Sequence, residues 1–296
     1  MPLVECVPNV SEGRRTGVIG AIAEAIVVPG VRLLDSSSDP SHNRTVYTFV
    51  GEADRVQEAA IRLYEAAIER IDLRQHEGVH PRIGAVDVFP FVPMLETKMA
   101  DCVALSRSTA EMVATRFQIP VYLYEEAARR PDRRNLAEIR RGGLGDLERR
   151  MGEVAWLPDF GRPSLHPTAG ATAIGARAIL IAYNVNLDSD RLDVARRIAS
   201  VVRESGGGFV GVKAMGVRLD HRGIVQVSMN LIDYHRTSMA TVFDAISREA
   251  AVDGVGVLES EVVGLVPADA LPPDPVNRLR LATDHESKIL DLNFRS

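Results

Sequence analysis

The order of strand-like and helix-like segments repeats once along this chain of 296 residues. Each half reads strand, helix, strand, strand, helix, strand, from its hydrophobic periodicity and β-branched runs. Two such units form the split βαβ pattern, so the sequence predicts an α+β fold (an α/β sandwich) of two ferredoxin-like βαββαβ subdomains in tandem. We place the subdomains at residues 1–177 and 178–296, and we expect a ligand groove between them, because clefts between domains commonly bind small molecules.

The bounds of these segments follow from changes in period. The first half has strands at 3–7, 31–35, 45–50 and 86–92 and helices at 15–27 and 56–71. The second half has strands at 179–185, 210–217, 224–232 and 255–263 and helices at 188–204 and 238–250. Between them we expect a helix at 100–117, a strand at 121–124, an arginine-rich helix at 133–150 and a loop at 159–172. Residues 36–43 are polar and predict a loop, and residues 220–223 have the chemistry of a hairpin turn.

Composition excludes several classes of protein. Hydrophobic residues make up 46% of the chain and the net charge is -5, so the whole molecule offers no positive field for nucleic acid or anionic lipid. No apolar run approaches the roughly 18 to 20 residues of a membrane span, and the start lacks the features of a signal peptide. The two cysteines lack metal-ligand spacing and disulfide density. We therefore expect a cytoplasmic protein.

The segment HEGVHPRIGAVDVFPF, residues 76–91, contains a formal H-E-x-x-H zinc motif. A zinc site of this type requires both histidines on one continuous helix. Gly78 lies inside the motif and Pro81 follows it, so a helix is disfavoured and no metal is expected. Similarly, the glycines Gly206, Gly208 and Gly211 match a dinucleotide fingerprint, but they follow a helix and precede a strand, which is the reverse of the required order.

His80 is the histidine of this segment that we single out. Most isolated histidines are structural, and that interpretation stays open. However, Arg82 and Asp87 follow His80 closely in sequence, and we expect the polar segment 36–44 to face it, because loops on one edge of a sheet converge. Its ordinary pKa near 6.5 suits proton transfer at neutral pH.

The arginine-rich segment has two interpretations. Its arginines alternate with acidic residues, which favours a solvated face of self-paired charges. The alternative is a basic rim that attracts a carboxylate-rich substrate.

Several strings of the chain together resemble the glutamate formimidoyltransferase family. They are VECVPNVSEG (4–13), LLD…NRTVYTFVG (33–51), HEGVHPRIGAVDVFPF (76–91), VYLYEEAA (121–128), WLPDFG…GAT…GAR (156–177), NVNL (184–187) and QVSMNLIDY (226–234). They occur in the same order between residues 2 and 268. In animals this family forms the first portion of a bifunctional formimidoyltransferase–cyclodeaminase, and the present chain has nothing that resembles the cyclodeaminase half.

The resemblance implies an enzyme of histidine degradation that transfers the formimino group from N-formimino-L-glutamate to N5 of tetrahydrofolate, its acceptor substrate. It implies two ferredoxin-like subdomains with folate between them, a homodimer, small-molecule partners and no metal. The catalytic histidine of the family corresponds to His80, and we expect Asn43, Arg44 and Arg82 to bind substrate. The folate-binding loop corresponds to Gly161, Arg162, Pro163, Ser164, Leu165, His166, Pro167, Thr168, Ala169 and Gly170.

The chain departs from the family pattern at one catalytic position. Animal members carry a catalytic acidic residue where this chain has Ser37, and we assign the role to Asp39, the acid two residues further on. Animal members also carry Lys and Glu at the positions of Glu77 and Val79. Two alternatives stay open, namely a related folate enzyme that uses a formyl donor and a non-catalytic folate-binding protein.

Overall fold

The computed structural model describes residues 3–40, 42–78, 82–220, 222–281 and 285–290. Within it the chain forms two compact units, residues 1–177 and 178–296. Each unit combines one sheet with helices. No helix in the described ranges is long and apolar enough to cross a membrane.

Among the described residues, the first unit has seven strands and five α-helices. The strands are β1 (Leu3–Cys6), β2 (Asn9–Val10), β3 (Val31–Asp39), β4 (Arg44–Gly51), β5 (Val86–Met94), β6 (Val121–Glu125) and β7 (Thr172–Ala176). The helices are α1 (Thr16–Ile26), α2 (Ala53–Arg70), α3 (Met99–Phe117), α4 (Leu136–Arg140) and α5 (Gly143–Arg150).

β1 and β2 act as one interrupted strand between β4 and β5, and all these pairings are antiparallel. β3 pairs with β4 on the outside. The order β3–β4–β1/β2–β5 is therefore that of a ferredoxin-like βαββαβ unit. β7 and β6 extend the sheet beyond β5 as parallel strands.

Helices cover both faces of this sheet. Phe49, Tyr64 and Phe89 belong to the larger core, which includes apolar side chains of α1, α2 and α3. On the opposite face, Tyr122 packs in a smaller cluster with apolar residues of α4 and α5, such as Ile139. Full burial of each large apolar side chain contributes about 1.5–3 kcal/mol to the free energy of folding. Both helical layers therefore stabilise the sheet whose edges carry the loops.

The second unit repeats the four-stranded pattern without the extension. Its elements are β8 (Ile181–Leu187), α6 (Leu192–Val202), β9 (Val212–Leu219), β10 (Ile224–Leu231), α7 (Met239–Val252), β11 (Val257–Val263) and α8 (Pro275–Leu279). The strand order is β11–β8–β10–β9, all antiparallel. The α+β class and the repeated ferredoxin-like order are confirmed.

The structure differs from the sequence predictions in three local features. β3 continues to Asp39, so residues 36–39 belong to a strand rather than a loop, because the polar serines pair with the backbone of β4. β7 was not predicted, because its small residues show no alternation of apolar and polar side chains. The arginine-rich helix is split into α4 and α5 by Gly142, which has φ +74° and cannot continue a helix.

Candidate active site

Three connections of the first unit meet at one edge of its sheet, where β2 ends and β4 and β5 begin. The Gly13 N–H donates to Oδ1 of Asn43 at 2.9 Å, and Nδ2 of Asn43 donates to the Glu77 carbonyl at 2.9 Å. One carboxamide therefore joins the β2–α1, β3–β4 and α2–β5 connections. The predicted convergence of polar loops on one sheet edge is observed among these residues.

The backbone at Asn43 is unusual. Asn43 has φ +49°, a left-handed conformation that asparagine tolerates better than most residues, and its side chain is buried. The opposing glycine leaves no spare room, because a Cβ on Gly13 would lie 2.4 Å from the Asp39 carbonyl oxygen. The close approach of these two connections therefore requires glycine at position 13.

Cations outnumber carboxylates beside this junction. Burial lowers the pKa of Arg44, the Arg140 guanidinium lowers it further, and Asp87 and Asp39 act in the opposite direction. Burial also lowers the pKa of Arg82, which is likewise offset by the charge of Asp87. Arg140 pairs with the buried Asp87 carboxylate, whose charge also acts on Arg44 and Arg82, and Asp39 is a further acid beside Arg44. Such an excess of guanidinium favours binding of a carboxylate or phosphate.

Two histidines are attached to this cluster. Nε2 of His76 contacts the Asn43 carbonyl oxygen at 3.0 Å, and Nδ1 of His76 contacts Nη1 of Arg82. Burial, followed by the neighbouring Arg82 charge, lowers the pKa of His76. Nδ1 of His42 lies 2.6 Å from Oδ2 of Asp39, whose Oδ1 accepts from the His42 N–H at 3.0 Å. The Asp39 carboxylate is therefore oriented by His42.

The predicted catalytic residue His80 lies outside the described residues. The described residues on either side of that segment are held by side chains. Asn43 binds the carbonyl of Glu77, and Oδ1 of Asp87 accepts from the Ile83 N–H at 2.7 Å. Within the described ranges, no group of three or more His, Cys, Asp or Glu side chains could hold a metal ion.

The predicted folate-binding loop adjoins the same edge through its second half. Ile83 accepts from the Ala171 N–H at 2.7 Å, and Ala169 accepts from the Ala85 N–H at 2.9 Å. His166 and Gly170 exchange backbone hydrogen bonds of 2.9 and 3.0 Å, and Gly170 has φ +70°. Nδ1 of His166 accepts from the Ala169 N–H at 3.0 Å, and burial lowers the pKa of His166. Residues 161–164 are exposed.

The whole of this scaffold matches one protein family. The family model for the N-terminal subdomain of the formiminotransferase domain matches residues 3–177, and the model for the formiminotransferase domain matches residues 182–273. The chain belongs to the formiminotransferase family.

Curated relatives agree along most of the chain. It is 49% identical to the glutamate formimidoyltransferase of Streptococcus pyogenes serotype M1, over 91% of this chain and 90% of that protein. It is 46% identical to the glutamate formimidoyltransferase of Thermoplasma acidophilum, over 98% and 97% of the two chains. The formimidoyltransferase-cyclodeaminase of Rattus norvegicus is 44% identical over 91% of this chain but only 51% of its own length.

In this member of the formiminotransferase family, the structure brings together Asp39, Asn43, Arg44 and Arg82. Ser37 lies apart from this group in its contacts, since its hydroxyl donates to Oδ2 of Asp35 at 2.9 Å. His76 belongs to the group although the sequence interpretation assigns it no role.

Arg140 is a further residue of this group, and it lies within a segment whose sequence was interpreted as solvated charges. That interpretation is correct for exposed pairs such as Arg141–Glu138. It is wrong for Arg140 and for Arg133, which are largely buried and pair with Asp87 and Asp159. The signal that could have found them is the buried acid opposite each one, and that acid lies far away in sequence.

Proposed function

We propose that this chain is a glutamate formimidoyltransferase, which transfers the formimino group from N-formimino-L-glutamate to N5 of tetrahydrofolate in histidine degradation. The observation that supports this most directly is the cluster of guanidinium groups at the loop junction, in a chain whose curated relatives carry that name. The donor is a dicarboxylate, and partly buried arginines are the side chains best suited to hold one.

Arg44 and Arg82 are the proposed ligands of the donor carboxylates. Asn43 precedes Arg44 and donates to Glu77, which lies in the connection that carries Arg82. A guanidinium can bind a carboxylate through two parallel N–H donors, which fixes orientation as well as affinity. Holding the donor still beside a second bound substrate supplies much of the acceleration, because the reaction of two molecules becomes effectively unimolecular.

The chemical step joins N5 of tetrahydrofolate to the amidine carbon of the donor. N5 attacks with its lone pair, a tetrahedral adduct forms, and the proton on N5 is transferred to His80 as general base. His80 then returns the proton to the glutamate nitrogen as the original carbon–nitrogen bond breaks. Asp39, oriented by His42, is proposed to stabilise the cationic amidinium form of the donor.

Residues 161–170 are the proposed binding loop for the acceptor tetrahydrofolate. Gly161 and Gly170 both have positive φ, so the loop turns sharply at each end. The turn at 166–170 is hydrogen-bonded to the residues that lead into β5, which supports binding of the pterin near the donor cluster. A cytoplasmic homodimer is part of the same proposal, and light scattering of the purified protein tests the dimer.

The direct test is turnover of N-formimino-L-glutamate with tetrahydrofolate, followed by the absorbance of the 5-formimino product. A formyl-glutamate donor in a parallel assay separates the formyl-transferring alternative. Tight tetrahydrofolate binding without turnover of either donor would replace the proposal with the folate-binding alternative.

His80→Ala is expected to lower kcat at least ~10²-fold while folate binding is retained, because a positioned general base contributes roughly 10²–10⁴-fold. Asp39→Asn should also lower kcat, and Ser37→Ala should have little effect. Steady-state kinetics of the three variants check the assignment. Near-normal turnover of His80→Ala would exclude the base role, and a larger effect at Ser37 than at Asp39 would reassign the acid.

A further inference from the structure

Asp87 is a nearly fully buried carboxylate at the start of β5 with two different partners. Its Oδ1 accepts from the Ile83 N–H at 2.7 Å, and its Oδ2 accepts from Nη2 of Arg140. Arg140 comes from α4, more than fifty residues further along the chain, and its side chain is 15% exposed. A buried carboxylate needs such partners, because an unpaired buried charge is strongly destabilising.

The charge of Asp87 also acts on the two arginines proposed to bind the donor. Its negative charge raises the pKa of both Arg44 and Arg82, against the effect of burial. Asp87 also lies in the same part of the sheet as both arginines. It binds the Ile83 N–H next to Arg82, and its neighbour Val86 and the Arg44 neighbour Thr45 both pair with Val10. Its charge can therefore compete with a substrate carboxylate for these guanidinium groups. Its Oδ2, however, is bound by Arg140.

We propose that Arg140 is a positioning residue for donor binding, which holds the Asp87 carboxylate and so prevents it from neutralising Arg44 and Arg82. The inference rests on the proposed function, because it takes the donor dicarboxylate to be the ligand of those arginines. In this arrangement the buried acid fixes Ile83 through one oxygen, while its second oxygen is kept away from the substrate cations.

A purely structural role for the pair makes a different prediction. If the ion pair only attached α4 to β5, then Asp87→Asn would break it just as Arg140→Gln does, and each single variant would weaken the binding of both substrates. If Arg140 screens the substrate cations from Asp87, then neutralising Asp87 should repair the loss of Arg140. Asp87→Asn alone thus separates the two roles, because it leaves donor binding intact only if Arg140 acts by screening. The double variant then tests whether the loss of Arg140 is repaired.

The experiment compares Arg140→Gln, Asp87→Asn and the double variant. Arg140→Gln is expected to raise KM for N-formimino-L-glutamate roughly tenfold, the loss of about one charge-assisted interaction, with KM for tetrahydrofolate unchanged. The double variant should return the donor KM to within about threefold of wild type, since the carboxamide introduced by Asp87→Asn can still accept from the Ile83 N–H but carries no charge. Arg140→Lys should stay near wild type because it keeps the positive charge.

Arg141→Gln is the matched control, because Arg141 is the next residue and forms an exposed pair with Glu138. Isothermal titration of N-formimino-L-glutamate into the same proteins gives a second readout that does not depend on turnover. A double variant no better than Arg140→Gln in donor KM and Kd would overturn the inference, and so would a parallel rise in KM for tetrahydrofolate. Wild-type protein that binds the donor but does not transfer the group would contradict the proposed function alone. Wild-type protein that does not bind the donor would overturn both.

Discussion

The two units form equivalent hairpins, yet the residue at the left-handed turn position differs. In the second unit the β9–β10 hairpin ends with Gly223 at φ +65°, and a Cβ at that position would meet nothing within 4 Å. In the first unit the β3–β4 hairpin ends with Asn43 at φ +49°. Glycine adopts this conformation without steric strain, whereas other residues are strained in it. The turn itself therefore does not explain the choice of asparagine.

The difference is explained by what the Asn43 side chain does. Its carboxamide links Gly13 and Glu77, so the left-handed backbone directs a hydrogen-bonding group between two other connections. The hairpin of the second unit has no such task at Gly223. The two units thus share a fold, but only in the first unit does the turn residue carry a side chain that joins neighbouring loops into the candidate site.

The central strands show a second contrast. In the first unit Glu5 of β1 lies on the side of the sheet opposite Cys6, and burial raises its pKa to about 7 despite the charge of Arg177. In the second unit the corresponding strand β8 carries the neutral Asn184 and Asn186 opposite its core face. Asn184 donates to Glu261 and Asn186 to Glu259, so the polar groups of this face are satisfied without burying a charge.

Glu5→Gln tests that contrast and should have the largest effect on stability. The raised pKa means that stability from the protonated carboxyl is complete below the unfolded value of 4.5 and is lost as pH rises through about 7. At pH 8 the variant should therefore be more stable than wild type by up to about 3 kcal/mol, the cost of ionising a buried carboxyl. Urea unfolding at pH 5 and pH 8 measures the difference. Equal gains at both pH values would show that the charge of Glu5 is not the cause.

Gly13→Ala should separate the two hairpins next. The new Cβ would lie 2.4 Å from the Asp39 carbonyl oxygen and 2.5 Å from the Arg44 nitrogen, so the hairpin must move. We expect a loss of about 1–3 kcal/mol in unfolding free energy and at least a tenfold loss of turnover. Gly17→Ala in α1 is the matched control, since nothing lies within 4 Å and alanine favours a helix. Equal effects of the two changes would refute the close-packing argument.

Exchanging the turn residues should affect the two hairpins unequally. Asn43→Gly keeps the backbone conformation but leaves the buried Gly13 N–H without its acceptor, at a cost of about 1–3 kcal/mol. Gly223→Asn should cost no more than about 1 kcal/mol, because the position is open and only the strain of a non-glycine residue at positive φ remains. Thermal unfolding and turnover of both variants check this. A large loss of stability in Gly223→Asn would mean that the backbone conformation of asparagine, and not its side-chain contacts, determines the effect of a substitution at Asn43.

The repeated fold could be predicted from sequence because period-2 and period-3.6 patterns report burial directly. Val185 and Leu187 point to the core and Asn184 and Asn186 away from it, so the strand is visible without any partner. The hairpin at Gly223 was predicted for a similar reason, since the turn residues carry the conformation themselves.

The candidate site was only partly predictable, because its contacts join residues that are distant in sequence. Arg44 and Arg82 stand beside recognisable strands, whereas Arg140 contacts Asp87 from 53 positions away and was hidden among self-paired arginines. The strand at residues 36–39 was missed because its side chains are polar, although the backbone pairs with β4 as in any strand. Local patterns record which face is buried, and they do not record which loops meet.

The smallest expected effect is a pH dependence centred on His76, which belongs to the junction of the first unit. Its pKa lies below the usual 6.5 because of burial and the Arg82 charge, so the folded state favours the neutral imidazole. The contribution of His76 to the free energy of unfolding is therefore present above pH ~6.5 and is lost as pH falls through the lower folded pKa. The slope of the unfolding free energy against pH corresponds to at most about one proton. His76→Gln should flatten that slope, while His166→Gln should remove only the separate contribution of His166, whose pKa is also lowered by burial. Unfolding free energies at half-unit pH steps between 5 and 7.5 measure both. An unchanged slope in His76→Gln would show that protonation of the junction does not oppose folding, and the contacts of His76 with Asn43 and Arg82 would then be tolerant of its charge.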